Sequence, residues 1–183
     1  GVDPGPELMD AAVAHIRRHG GGDAVAWLVD PTAADDDVMT AAGFVVQRDL
    51  LQLRATLPLA EVASIPDGFR LRDFVPAIDD DAWVDANNRA FAGHPEQGNW
   101  TTATLRRRMA EAWFDPAWFL IAEDDDGIAG FNWLKRHAAR GGDAELGEIF
   151  VIGTDPRVQG RGLGRALAIL GLERVARAGI RTG

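Results

Sequence analysis

One stretch of the chain constrains its fold more than any other: an apolar strand that leads into a glycine-rich turn and then a helix. Residues 146–154 predict the strand, Asp155-Pro156 ends it, and residues 163–178 predict the helix. The turn between them holds glycines at positions 160, 162 and 164. Glycine lets backbone N–H groups approach a ligand closely, and a helix N-terminus favours an anion. The sequence therefore predicts an α/β fold with a turn that can bind a pyrophosphate.

The spacing of these residues separates the turn from two other phosphate-binding turns. A Walker loop places Gly-Lys-Ser/Thr at the helix start, whereas Gly164 is followed by Arg165 and Ala166. A dinucleotide-binding turn needs Gly-x-Gly-x-x-Gly, and the glycines here alternate instead. The pattern that matches is Gln159-x-x-Gly162-x-Gly164 after a strand. It resembles the GCN5-related N-acetyltransferases (GNAT), in which this pattern holds the pyrophosphate of acetyl-coenzyme A.

Four further stretches narrow the resemblance. Residues 87–100 (NNRAFAGHPEQGNW), 111–116 (EAWFDP), 130–135 and 146–156 are similar to the mycothiol synthase family. Members of that family have two tandem acetyltransferase-fold domains, and the second domain is the active one. They transfer acetyl to the cysteinyl amine of a cysteine–glucosamine–inositol conjugate. The resemblance implies that this chain holds pieces of two such domains, both incomplete, with a mixed α+β sheet.

The pattern along the chain is consistent with this division. Residues 1–56 predict helix, strand, helix and strand, with the strands at 24–29 and 44–56, and form the expected end of the first domain. Residues 57–68 contain two prolines and predict a linker. Residues 69–183 predict strand, two helices, three strands, the glycine turn and a helix. Because a further strand is expected next, we expect the chain to be a fragment of a longer protein.

Glu148 is the candidate general base. An amine is mostly protonated at neutral pH and must lose a proton before it can attack a thioester. The two-residue period of a strand places Glu148 on one face with Leu146, Phe150 and Ile152. We expect this carboxylate to be partly desolvated, with its pKa raised. The resemblance places Glu148 at the family's base position; the alternative is a carboxylate that pairs with Arg or faces solvent.

The resemblance also assigns the contacts with acetyl-coenzyme A. Backbone groups of Ile152 and Thr154 would meet the pantetheine arm, as an added strand meets a sheet edge. The turn would bind the pyrophosphate through Gln159, Gly160, Arg161, Gly162, Leu163, Gly164 and Arg165. No metal is expected at this site.

Two more residues, Glu96 and Lys135, match positions on the acceptor side of the family site. Glu96 lies in a loop that contains Gly and Pro, and Lys135 is the only lysine of the chain. A solvated charge is the alternative interpretation of each. The resemblance further implies a tyrosine as general acid, after the next strand. Because the sequence contains no tyrosine, we expect that acid to lie past Gly183 and this chain alone to be inactive.

Composition excludes several classes of partner and site. The net charge of −9 disfavours nucleic acid and anionic membranes. No apolar run approaches the roughly 18–20 residues that span a bilayer. The absence of cysteine excludes disulfides, zinc–thiolate sites and a thiol nucleophile. We therefore expect a cytoplasmic monomer that acts on a small thiol-sugar, with no nucleic acid or membrane partner.

Three other interpretations stay open from the sequence. The acceptor can be another amine, such as an aminoglycoside or a peptide N-terminus. The missing tyrosine favours a degenerate acyl-coenzyme A-binding module with a regulatory role. Residues of the first segment can also supply strands to the second, as in a permuted domain.

Overall fold

The computed structural model describes residues 6–94, 97–142 and 144–183. Contacts divide the chain into two compact units. Unit 1 ends at Gln52, and unit 2 runs from Leu53 to Gly183. No helix among the described residues is both long enough and apolar enough to cross a membrane.

Unit 1 contains the two helices that the sequence predicts, α1 (Pro6–Arg18) and α2 (Ala33–Ala41). Thr32 caps α2 through a reciprocal pair of hydrogen bonds with Asp35. The Thr32 hydroxyl accepts from the Asp35 N–H, and the Asp35 carboxylate accepts from the Thr32 N–H at 2.7 Å. This capping box fixes the start of α2 immediately after Thr32.

The strands predicted at 24–29 and 44–56 do not form in the described structure, so this prediction is wrong. A strand needs the backbone groups of a neighbouring strand as hydrogen-bond partners. In the part of unit 1 that the structure describes, neither segment pairs with another strand, and apolar side chains such as Val29 (90% exposed) stay open to solvent. Within unit 2, only residues 55–57 pair, with residues 181–183 at the end of the chain.

Unit 2 is built on a four-stranded sheet in the order β1 (Arg70–Asp73), β2 (Phe119–Asp124), β3 (Gly127–His137) and β4 (Leu146–Thr154). All pairings between neighbours in this sheet are antiparallel. Gly127 has a φ of +112°, which lets β2 turn tightly into β3. β4, which carries the predicted base, is therefore the last strand of the described sheet.

Helices cover both faces of the sheet. On one face lie α3 (Asp80–Ala90) and α4 (Thr102–Met109), which Thr101 caps as predicted. On the other lies α5 (Leu163–Arg177). The core under α3 and α4 includes the buried side chains Trp83, Leu105, Phe119, Phe131 and Trp133. The core under α5 includes Leu120, Ala129, Leu163, Leu167 and Val175.

The segment 57–68, which the sequence predicts to be a linker, packs onto unit 2. Leu57 is buried against Val175 and Ile180, and Ile65 packs beside Phe69. Apolar side chains on both sides of Pro58 thus pack into the start of unit 2. The segment reaches the glycine turn and contributes to its surroundings.

Candidate functional site

The glycine turn has the backbone geometry that an anion site requires. Gly160 and Gly162 have φ angles of +80° and +79°, which other residues rarely adopt. Gly162 is the N-cap of α5, and no side chain among the described residues caps this helix. The first N–H groups of α5 therefore have no capping side chain in the described structure, and the helix N-terminus favours negative charge there.

The surroundings of the turn are open to a ligand. A Cβ atom at Gly160 or Gly162 would meet no described atom within 4 Å, so glycine is required there by conformation. A Cβ at Gly164 would touch only Thr154 Cγ2, at an ordinary 3.5 Å. Packing thus does not explain Gly164. Its missing side chain instead leaves room above the helix start.

Both arginines of the turn lie at its surface and contact the segment before β1. The Arg161 guanidinium lies 4.3 Å from the centre of the Phe69 ring and donates to the Asp67 carbonyl. Arg165 forms an ion pair with Glu61 at 2.5 Å. The turn therefore has two exposed arginines, each in contact with the segment before β1.

Asp155 fixes the end of β4 where the turn begins. Its buried carboxylate accepts from Arg89 Nε at 2.7 Å and from the Arg157 N–H at 3.0 Å. Burial raises the pKa of this carboxyl, but these hydrogen bonds and the Arg89 charge outweigh burial and leave the pKa below its usual value. Asp155 therefore stays ionised at neutral pH and joins the start of the turn to α3.

The outer edge of β4 is largely unpaired. Among the described residues, the Gly147 N–H, which donates to the Thr182 carbonyl at 3.0 Å, is the only backbone group of that edge with a partner. The edge from 148 to 154 includes Ile152 and Thr154. It offers backbone donors and acceptors to an extended ligand that contains amides. This edge leads directly into the glycine turn.

A β-bulge at Phe150 interrupts the alternation of β4. Trp133 lies opposite Val151 and Leu134 opposite Ile149, so Phe150 has no partner in β3. Phe150 and Val151 therefore both pack toward α3 and α4, while Ile152 packs toward α5. The prediction that Glu148 shares a face with Ile152 is wrong because the bulge shifts the period by one residue.

Glu148 lies among polar neighbours rather than in an apolar pocket. Its side chain is 44% exposed, and its carboxylate lies 2.6 Å from His137 Nε2. Lys135 lies directly opposite it in the register of β3 and β4. The predicted desolvation is therefore wrong: α3 and α4 pack further along the sheet, so solvent reaches this carboxylate.

Lys135 lies next to Glu148 and is held by aromatic rings. Its Nζ lies 4.9 Å from the centre of the Trp113 ring and 5.7 Å from that of Phe150. The Trp113 indole N–H donates to Glu111 Oε2 at 2.6 Å, which fixes the ring. A cation over aromatic faces is attracted to them. Two predicted site residues, Lys135 and Glu148, thus lie side by side in one cluster.

Residues 80–182 match the Acetyltransferase (GNAT) family. The chain belongs to this family. Membership confirms the predicted fold class, and the described sheet, with the strand–turn–helix connection of β4 and α5, is the GNAT fold of this chain. GNAT acetyltransferases use acetyl-coenzyme A.

Similar proteins support the narrower resemblance. The chain is 43% identical over 180 residues to the mycothiol acetyltransferase of Acidothermus cellulolyticus. This alignment covers 92% of the chain and 54% of that protein. It is 44% identical to the mycothiol acetyltransferase of Acidimicrobium ferrooxidans, over 96% of the chain and 57% of that protein. The chain thus spans about half the length of the curated relatives it matches.

A solved structure shares the fold. The GCN5-related N-acetyltransferase of Sphaerobacter thermophilus aligns with a TM-score of 0.59 and 26% identity. The alignment covers 70% of this chain and 39% of the other. As in the two relatives above, the match leaves much of the longer protein uncovered.

The loop that contains Glu96 is anchored by two neighbouring asparagines. Glu96 lies outside the described residues. On its C-terminal side, Asn88 accepts from the Trp100 N–H at 2.8 Å and donates to the Trp100 carbonyl at 2.9 Å. Asn87, fully buried, donates to the Gln97 carbonyl at 3.1 Å. Both asparagines therefore hold the loop backbone.

Sequence reasoning missed His137 and the role of Trp113 beside Lys135. A signal for His137 was present, since it follows Lys135 by two residues and the strand period places both on one face. Trp113 follows α4 in an irregular segment, where no periodicity indicates what a side chain will meet. Its contact with Lys135 depends on tertiary packing.

Proposed function

We propose that the whole protein transfers an acetyl group from acetyl-coenzyme A to the cysteinyl amine of desacetylmycothiol, giving mycothiol and coenzyme A. The observation that carries the proposal is the continuous path from Glu148, along the open edge of β4, to the glycine turn at α5. The names of relatives at 43% and 44% identity support this acceptor.

Residues of this chain account for donor binding and deprotonation. The N–H groups of residues 160–165 and the Arg161 and Arg165 charges would hold the diphosphate. The β4 edge at Ile152 and Thr154 would pair with the amides of the pantetheine arm. Acetyl-coenzyme A supplies the activated acetyl group. The absence of any described atom within 4 Å of a Cβ at Gly160 or Gly162 supports a diphosphate site at the turn.

Glu148 would act as the base. Its carboxylate takes a proton from the acceptor ammonium, and the freed nitrogen forms the new C–N bond as the C–S bond of the thioester breaks. Lys135 and the loop that contains Glu96 would bind the acceptor near this carboxylate. The leaving thiolate also needs a proton, and this chain, which has no tyrosine, is assigned no residue for that step.

The proposal extends to the organisation of the protein. Residues 1–56 would be the end of a first acetyltransferase-like domain, and residues 69–183 the larger part of the second, with the junction at 57–68. The break in contacts after Gln52 and the half-length match to the relatives support this division. We further propose that the protein is a cytoplasmic monomer that acts on a small molecule.

Purified full-length protein tests the acceptor. It would be incubated with acetyl-coenzyme A and equal amounts of desacetylmycothiol, an aminoglycoside and a peptide, and the products followed by mass spectrometry. Acetylation of the thiol-sugar amine in preference to the others supports the proposal. Preference for the aminoglycoside or the peptide contradicts this acceptor. Tight coenzyme A binding without transfer instead favours the regulatory-module interpretation.

Replacing Gly162 with Ala should weaken coenzyme A binding about 5- to 30-fold. A non-glycine residue with positive φ costs about 1–2 kcal/mol, and that cost must be met whenever the turn takes its binding conformation. Titration calorimetry with coenzyme A measures the change. Gly179→Ala is the matched control, because Gly179 has a φ of +88° beyond the opposite end of α5. Equal weakening of coenzyme A binding in both variants would contradict a specific role of the glycine turn in that binding.

A further inference from the structure

Glu148 has a partner that the family resemblance did not indicate. His137 Nε2 lies 2.6 Å from Glu148 Oε2. Among the described residues, His137 is the one side chain with a hydrogen bond to this carboxylate. His137 lies opposite Leu146 in the register, so it meets Glu148 as a diagonal neighbour on the same face of the sheet.

The pair is partly open to water. The His137 side chain is 39% exposed and that of Glu148 44%. A contact between two exposed polar side chains of this kind contributes little to stability, so the hairpin does not depend on it. His137, in short contact with the proposed base at the solvent-accessible end of the strand, is instead well placed to move a proton between that base and water.

Other charged groups surround the pair but are engaged elsewhere. Lys135, opposite Glu148, lies over the Trp113 ring. From the α4 side, Arg108 pairs with Glu111. At the end of β3, Arg136 pairs with Glu145, which lowers the pKa of Glu145. These groups set the field around His137, and none of them has a recorded hydrogen bond to it in the described structure.

We propose that His137 is a positioning residue that orients the Glu148 carboxylate and takes up the proton that Glu148 removes from the acceptor. The inference rests on the proposed function. Acetylation of an ammonium by a thioester yields an amide, a thiol and one proton for the solvent. Imidazole gains and loses a proton between about pH 5 and 8. In the tautomer that carries its proton on Nδ1, His137 accepts the proton from Glu148 at Nε2 and releases the Nδ1 proton to water. Exchange with water then returns the remaining proton to Nδ1, so that Nε2 is free again and Glu148 is ionised for the next turnover.

Kinetics of the full-length protein with His137→Gln test this inference. Gln keeps a hydrogen-bonding side chain but cannot carry the proton. We expect kcat to fall about tenfold, less than the ~10²-fold minimum for loss of a base itself, with KM for acetyl-coenzyme A unchanged. The pH profile of kcat should also change in this variant. In His137→Ala, added imidazole should restore part of the rate.

Arg136→Gln is the matched control, since it removes a neighbouring charge on the opposite side of β3 and leaves His137 in place. This control should keep the wild-type pH profile. An active wild type whose profile survives in His137→Gln, with no imidazole rescue of His137→Ala, overturns the inference alone. A wild type that acetylates no amine overturns the proposed function and the inference together.

Discussion

Replacing Glu148 with Gln in the full-length protein lowers kcat/KM for acetyl transfer by about 10²- to 10⁴-fold near neutral pH. Gln matches Glu in size and polarity but cannot accept a proton from the acceptor ammonium in the transition state. An ordinary α-amine loses its proton near pH 7.7–8.0, so the variant should recover part of its rate as the pH rises through that range. Steady-state kinetics from about pH 6 to 9 measure both effects.

Glu145→Gln controls for the loss of a nearby negative charge. Glu145 is paired with Arg136 and precedes β4 by one residue, so its removal should leave the rate close to that of the wild type. Calorimetry should give both variants the wild-type affinity for coenzyme A, because the proposed coenzyme A site lies further along the strand from Glu148. Unchanged kcat/KM in Glu148→Gln over the whole pH range would remove Glu148 from the base role.

Replacing Trp133 with Ala should lower the free energy of unfolding of unit 2 by about 3–5 kcal/mol. Trp133 is 0% exposed, and its ring stacks on Phe119 with the centroids 4.5 Å apart. It also meets Trp83 and Phe150 edge-on, at 5.8 and 5.4 Å. The cavity would lie under Phe150 and thus under the Lys135 cluster. Urea unfolding followed by circular dichroism measures the loss.

Two further variants separate ring packing from other effects. The Trp133 indole N–H has no hydrogen-bond partner among the described residues, so Trp133→Phe removes an unsatisfied donor and keeps an aromatic ring. We expect it to lose less stability than Trp133→Ala. Trp27→Ala, at a half-exposed position in unit 1, should leave the unfolding of unit 2 unchanged. A Trp133→Ala variant as stable as the wild type would contradict the described core.

The connection from β4 to α5 could be predicted from the sequence because its determinants are local. Apolar residues define the strand, Asp155-Pro156 ends it, and the glycines supply the positive φ angles of the turn. The β2–β3 hairpin follows equally from Gly127, and the start of α4 from Thr101. In each case a particular residue type meets one conformational or hydrogen-bonding requirement of the local backbone.

The environment of Glu148 could not be predicted because it depends on pairing between strands. The bulge at Phe150 has no sequence marker, since neither Gly nor Pro occupies the position. Without the bulge, a strict two-residue period puts Glu148 among apolar side chains. The bulge turns Ile152 to the opposite face. Lys135 and His137 of β3 lie beside the carboxylate at the end of the sheet, where solvent reaches it.

The strands predicted at 24–29 and 44–56 show the same limit. Their β-branched and alternating residues favour strands, but a strand also needs a neighbouring strand, and the described residues of unit 1 contain none. The structure of segment 57–68 differs from the predicted linker for a related reason. Its prolines indicate a linker, whereas Leu57 finds a buried position that composition does not reveal.

The proposed function depends most on diphosphate binding by the N–H groups of the glycine turn, and nuclear magnetic resonance tests this binding directly. The full-length protein, labelled with ¹⁵N-glycine, would be titrated with coenzyme A and, separately, with pantetheine, which lacks the diphosphate. We expect the amide signals of Gly160, Gly162 and Gly164 to shift with coenzyme A and to stay in place with pantetheine. The amide signal of Gly179 should shift with neither ligand. Signals of the turn that stay unmoved by saturating coenzyme A would contradict it.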